Sequence, residues 1–538
     1  VTPRQPPTGS RRRSGEPDPH PASAELASLG CVAAGAALAR GELRSEELVE
    51  VLRARIAALD AAGPCLRSVL ALDPRASETA RESDAARRSG RVRSALEGLP
   101  VLVKDNLDSA GELPTTAGSL ALEGGCAGRD ATAVARCRRA GAVVLGKANL
   151  SEWANFRSRR SSSGWSACGG QTRNPHVLDR SPGGSSSGSA VAVAAGLVPL
   201  AVGTETDGSI LCPAALCGVV GMKPTVGVVS RRGVIPISHT QDSVGVFARS
   251  VVDASLLLRV LAGGTGPEGA GEPEGAADPA TLERPQRFSL PPPDELARAE
   301  LKGVRLLPLG PPASGQHPGA DRLVEEVLRS AAGAGATVLD PVPVPHAEEL
   351  VAGDDELTVL LCEFRAGIDD YLAERARRTG IGPRRLAELV EWNEAHADAE
   401  LALFGQDLFL DALATGGLDD PAYAPALERS LRRSREEGID ALLARGADLL
   451  VAPTMGPAWL IDHVNGDAFI GSGYQLSACA GAPAISLPAG VVHGLPVGVC
   501  LMGRRFDDGL VLRVAAALER LLPPPPRPFF LPSLGLLA

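Results

Sequence analysis

The spacing of apolar and polar positions changes period several times along the 538 residues, and each change marks an element. Residues 24–61 carry apolar side chains at helical spacing in two blocks that break at Gly41, with Ser45 standing as an N-cap before Glu46 and Glu47. A charged helix is expected over 76–89. The stretch GLPVLVKDN then switches to a period of two, placing Val101 and Val103 on one strand face and Leu102 and Lys104 on the other. A helix over 130–140 and a buried strand in GAVVLG follow, and the alternation runs on through SAVAVAAG, LVPLAVGT and VGVVS. Strands alternating with helices predict an α/β core over 90–262.

Residues 263–293 are rich in Gly, Pro and Glu without a period and read as a variable surface linker. Helical periodicity returns near 319–333, 345–376, 385–412 and 424–445. ADLLVAPT and GAPAISLPAG then restore a strand-like core over 451–515. The expected architecture is a mixed central sheet covered by helices, with a largely helical excursion about 319–445. It forms a single domain over 24–538 after a disordered tail over 1–23, and LLPPPPRPFFLP closes the chain irregularly.

Composition narrows the function classes. A hydrophobic content of 44% supplies a large core, while aromatics at 3% leave the packing to small and aliphatic side chains. A net charge of −10 argues against a broad nucleic-acid or anionic-membrane surface. The ten cysteines and eight histidines include no paired metal motif and no HExxH, so neither a metal nor a cofactor is expected. Buried thiols fit a reducing compartment. The arginines before LASLGCVAAGAALA imitate an export signal, but Glu25 interrupts it and amphipathic helices follow, so the reading is cytoplasmic with export left open. No stretch has transmembrane length.

The run RSPGGSSSGSAVAVAAG poses the chemical question. GSSSG formally matches the GxSxG elbow with Ser186 at its centre, but that motif needs an entering strand, and NPHVLDRSP is polar and proline-bounded. A phosphate loop needs a following Gly-Lys-Ser/Thr, which is absent. VLVKDN, SPGGSSSGSA and AVGTETDGSILCPA are three separated segments that an α/β sheet could bring together. A lysine freed of its charge by burial can serve as a base, a serine can relay the proton, and turn amides can face an oxyanion. The residues permit this design without singling it out.

With those three segments quoted, the chain resembles the amidase signature family over about 24–515. The resemblance implies a Ser-Ser-Lys triad on a mixed sheet covered by helices: Lys104 as base, Ser185 as relay and Ser209 as nucleophile, the two serines 24 residues apart. It further implies a cis peptide before Ser185 and an oxyanion hole made by the amides of Thr206, Asp207, Gly208 and Ser209. Asp207 stands where the family commonly has glycine, and Glu205 where it has aspartate.

GKANLSEWANFRS and GTETDGSILCPAALCGVVGMKPTVGVVSRRGVIPISHTQDSVG resemble the peptide-amidase branch, which implies a C-terminal peptide amide as substrate. Leu211 replaces an arginine that grips a substrate carboxylate in some branches, and a peptide amide has no such carboxylate. The alternatives are an aryl, aliphatic or carbamate amidase, a tRNA-linked amidotransferase subunit with companion subunits, and a catalytically silent scaffold. Trp153, Phe156, Asp207 and Leu211 are candidates for the substrate pocket. Asp105, His176 and His239 are expected to hold structure. The expected partner is a small-molecule or peptide amide, with no obligatory nucleic acid or membrane, and the oligomeric state is open.

Overall fold

The protein is described by a computed structural model over residues 21–263 and 277–536. Most of the predicted N-terminal tail, residues 1–20, and part of the predicted linker, 264–276, lie outside the described residues. Residues 21–23 do not belong to the tail; they open a helix, Pro21–Ser28.

Eleven strands form one sheet. In chain order they are β1 Val69–Leu72, β2 Pro100–Lys104, β3 Val143–Ala148, β4 Leu200–Glu205, β5 Val220–Lys223, β6 Ser243–Ala248, β7 Arg305–Pro308, β8 Thr337–Val338, β9 Leu449–Pro453, β10 Ala484–Val492 and β11 Leu495–Met502. The spatial order is β1-β3-β2-β4-β6-β5-β10-β11-β9-β7-β8. β2 runs parallel to β3 and β4, whereas β4, β6, β5, β10, β11 and β9 follow one another antiparallel. The sheet is therefore mixed, and the chain's late strands join its early ones along β5 and β10.

Apolar burial explains the central strands. β2 to β6 are buried at every position, as expected of strands covered on both faces. The helices Ser187–Ala194, Val251–Leu261 and Asp508–Glu519 contribute to the same apolar cluster as those strands.

Two local expectations fail for identifiable reasons. VGVVS is not a strand: Gly227 takes φ +93° with the Ala280 carbonyl where a Cβ would sit, and the neighbouring strands are β5 and β6. Ser45 is not an N-cap. It lies inside helix Ser45–Arg55, where its hydroxyl donates to the Gly98 carbonyl, and the helix start is capped from a distance by Asp84, which accepts from the amides of Ser45 (2.7 Å) and Glu46 (3.2 Å).

The helical middle segment clasps the loops that follow β2. Its longest helix, Asp355–Thr379, sends the Tyr371 hydroxyl to Asp108 (2.7 Å) and Arg375 to the carbonyls of Thr115, Leu122 and Gly125. Glu363 on the same helix accepts from Thr240. Among the described residues no helix is long and apolar enough to cross a membrane.

Candidate active site

β2 ends at Lys104 and β4 at Glu205, side by side in parallel register, so whatever follows each strand emerges at the same edge of the sheet. The loop before helix Ser187–Ala194 joins them there. Its backbone is tied to the turn after β4 by a bond from the Ser186 amide to the Ser209 carbonyl (3.1 Å). The structure thus brings together the three segments that carry Lys104, Ser185 and Ser209. The Gly184–Ser185 peptide is cis, as the family resemblance implied.

Lys104 has no solvent exposure. Its Nζ lies 2.8 Å from Ser185 Oγ, 2.9 Å from Thr204 Oγ1 and 3.3 Å from the Thr204 carbonyl oxygen, and Asn106 Nδ2 donates to the same Thr204 hydroxyl (3.0 Å). Burial drives the pKa of Lys104 down from its ordinary value to about 7, against the pull of the Asp242 and Glu205 carboxylates. A neutral amine has two N–H donors and one lone pair. The two Thr204 oxygens can take the donors, which leaves the lone pair for the Ser185 hydroxyl.

Ser209 is 8% exposed, and among the described residues its hydroxyl has no hydrogen-bond partner, so the Ser185–Ser209 link is not closed by a bond in this state. Ser186 differs. Its hydroxyl has no exposure, donates to the Thr204 carbonyl (3.0 Å) and accepts from the Thr204 amide (3.2 Å), a structural role that removes it as an exposed elbow nucleophile.

The turn Thr206–Ser209 is held from behind. The Glu205 carboxylate accepts from the amides of Ile210 (2.6 Å) and Leu211 (2.9 Å) and also draws on that of Gly208. Asp242 accepts from the Thr206 hydroxyl (2.6 Å) and from the amides of Ile237 (2.9 Å) and Ser238 (3.0 Å). Among the described residues the amides of Asp207 and Ser209 donate to no protein acceptor. Gly208 has φ +76°, a region that favours glycine, and a Cβ there would lie 2.4 Å from the Tyr474 ring.

A cavity of about 400 Å³ adjoins this turn. Asp207 lines it, with its side chain exposed to the cavity yet ringed by protein; desolvation, then the Glu356 and Glu205 carboxylates, raise its pKa well above the usual carboxylate range. The other three pocket candidates are placed elsewhere. Trp153 packs edge-on against Phe409 (5.6 Å between centroids) and Phe156 against Phe364 (5.0 Å), within the apolar cluster that joins the helical middle segment to the core. Leu211 has no exposure and sits in the cluster behind the cavity wall. All three are apolar side chains drawn into packing, which the sequence could not separate from pocket lining.

Asp105 and the two histidines fall where expected. Asp105 accepts from the Thr116 amide (3.0 Å) and hydroxyl and lies 3.5 Å from Lys147. His176 Nε2 meets the Cys217 carbonyl (2.9 Å), and burial pushes its pKa down to about 4. His239 Nδ1 lies 3.5 Å from Glu363. All ten cysteines are free thiols. Among the described residues no group of three or more His, Cys, Asp or Glu side chains could hold a metal ion. The sequence reading did not single out Thr204, Asn106, Asp242 or Tyr474. The first three stand inside the quoted motifs, Thr204 and Asn106 close to Glu205 and Lys104, whereas Tyr474 arrives from a distant part of the chain with no local signal.

Similarity to known proteins agrees with this geometry. The family profile described as Amidase matches residues 47–512. The peptide amidase of Stenotrophomonas maltophilia, in its crystal structure, is 46% identical with a TM-score of 0.85, over 93% of this chain and 99% of that one. A protein of Arabidopsis thaliana named probable amidase is 37% identical over 90% of this chain and 88% of its own length. A glutamyl-tRNA(Gln) amidotransferase chain of Anaeromyxobacter dehalogenans is also 37% identical, over 94% of this chain and 98% of its own. The profile match over most of the length, the shared fold and the lysine-serine site together make this chain a carboxamide hydrolase belonging to the amidase family.

Proposed function

We propose that the protein hydrolyses the C-terminal carboxamide of peptides and releases ammonia, with Ser209 as nucleophile, Ser185 as proton relay and Lys104 as base. The observation that carries the chemistry is the contact of a fully buried Lys104, its pKa near 7, with the Ser185 hydroxyl at 2.8 Å. Ser185 gives its proton to the Lys104 lone pair as it takes one from Ser209. Ser209 Oγ attacks the amide carbon, and the C=O electrons move onto oxygen beside the free amides of Asp207 and Ser209. The proton returns through Ser185 to the leaving nitrogen, ammonia departs, and water opens the acyl-enzyme by the reverse path.

Three observations support a peptide substrate. The 46% identity to a peptide amidase exceeds the 37% shared with the amidotransferase chain. The 400 Å³ cavity beside the turn leaves room for a residue next to the scissile amide. The family resemblance puts a carboxylate-binding arginine at position 211 in some branches, and the fully buried Leu211 offers a free acid no such contact.

A library of amidated peptides, simple aliphatic and aryl amides and carbamates, assayed for ammonia release by the isolated chain, tests the reading. Amidated peptides are expected to lead. Equal efficiency on simple amides would remove the peptide assignment, and activity only with companion subunits would favour the amidotransferase reading. In the same assay Ser209→Ala is expected to lower kcat by about 10⁴-fold or more while the protein stays folded; turnover with a normal acyl-enzyme burst would displace Ser209 as nucleophile.

A further inference from the structure

The cavity beside the Thr206–Ser209 turn is apolar over much of its wall, through Leu309, Val344, Leu350 and Phe469. On the turn side its character changes. The Tyr474 side chain lines the cavity there with 4% exposure, and among the described residues its hydroxyl makes no hydrogen bond. A Cβ placed on Gly208 would lie 2.5 Å from that hydroxyl oxygen, so the phenol rests directly on the turn, one residue from the cavity-lining Asp207. The ring is well seated, sharing a cluster with Leu211, Leu476 and Trp459. A phenol at a cavity wall that has no protein acceptor is free to donate to a ligand entering the cavity. A rigid ring holding an unpaired donor at a cavity wall is the arrangement of a site whose acceptor comes with the ligand.

We propose that Tyr474 determines specificity by donating a hydrogen bond to the peptide carbonyl oxygen that precedes the scissile carboxamide. An acylated amino-acid amide carries that carbonyl and a simple aliphatic amide does not. The N–H of the same peptide group has an acceptor within the same cavity in the Asp207 carboxyl. Tyr474 thus acts on binding and leaves proton transfer to the lysine-serine pair. This inference rests on the peptide-amide reading above and assigns one residue to it.

The test compares wild type and Tyr474→Phe on N-acetyl-leucinamide and on 4-methylpentanamide, which has the same side chain but no acylamino group. If the second is hydrolysed too slowly to follow, its inhibition constant against the first replaces its kcat/KM. The substitution keeps the ring against Gly208 and removes a hydroxyl with no protein partner, so the thermal midpoint is expected to hold within about 2 °C. KM for N-acetyl-leucinamide is expected to rise about tenfold with kcat within about twofold, while 4-methylpentanamide is unaffected. An equal loss on both substrates, or no loss on either, overturns the role of Tyr474 and leaves the peptide-amide reading standing. A wild-type enzyme that hydrolyses 4-methylpentanamide but not N-acetyl-leucinamide overturns both.

Discussion

Lys104 and Lys147 sit on adjacent parallel strands, β2 and β3, both without solvent exposure, yet in opposite company. Lys147 faces a carboxylate: Asp105 lies 3.5 Å away, and the ammonium also donates to the Leu107 carbonyl (2.5 Å), Ser109 (3.1 Å) and Thr115 (3.2 Å). Lys104 has only two hydroxyls and a carbonyl, with no carboxylate at ion-pair distance among the described residues. Burial lowers both pKa values, and at Lys147 the adjacent Asp105 opposes it. What separates the two is that Lys147 has a carboxylate in ion-pair contact and Lys104 has none. The pair teaches how a sheet uses one lysine to brace the loop after β2 and leaves the next able to lose its proton.

The strongest way to break the contrast is to delete each amine. Lys104→Met is expected to cut single-turnover kcat about 10³-fold while the fold persists, whereas Lys147→Met leaves the chemistry in place in molecules that remain folded. Denaturant titration should reverse the ranking. Lys147→Met strands the buried Asp105 charge and is expected to cost about 3–5 kcal/mol, against about 1 kcal/mol or less for Lys104→Met. Equal stability losses would mean that the two sites are not distinguished by their partners.

Acidity sharpens the comparison at smaller scale. Lys104 must be neutral to accept a proton, so activity is expected to fall as pH drops through about 7, by about tenfold per unit below it, and to level off above. A pH profile of kcat/KM reads this limb, and a flat profile from pH 5 to 8 would contradict it. The mildest probe is Thr204→Val. Loss of one acceptor for Lys104 and of the partner of Asn106 is expected to lower kcat about three- to tenfold with KM little changed, measured on the best amidated peptide.

The segments that meet at the candidate site were more legible in the sequence than several of the strands around them. Lys104, Ser185 and Ser209 stand in compact motifs whose neighbours in sequence are also neighbours in space, since each motif ends a strand or starts a helix at one sheet edge. The period-two pattern of PVLVK and the apolar run of β3 were readable because central strands bury both faces. β7 and β11 were not singled out: Arg305–Pro308 is four residues long, and the β11 stretch LPVGVCLM follows β10 after a turn at His493 and Gly494 that carries little hydrophobic contrast. Trp153 and Phe156 show the limit on the site side. A local pattern reveals that an aromatic is buried, but not whether Phe409 and Phe364 will cover it. Asp84, capping a helix from another one, and Tyr474, resting on Gly208, are contacts between distant segments that no window of sequence contains.

The junction of β5 with β10 has a consequence for biosynthesis. Until residues 484–502 leave the ribosome, the half-made sheet ends at Val220–Lys223 with a bare edge of amides and carbonyls, open to pairing with another nascent chain. Tyr474, which rests on Gly208, also follows the lysine and both serines in the chain, so a product truncated before it would carry all three with one wall of the adjoining cavity missing. A growing polypeptide therefore already contains Lys104, Ser185 and Ser209 before they are enclosed as they are in the folded protein.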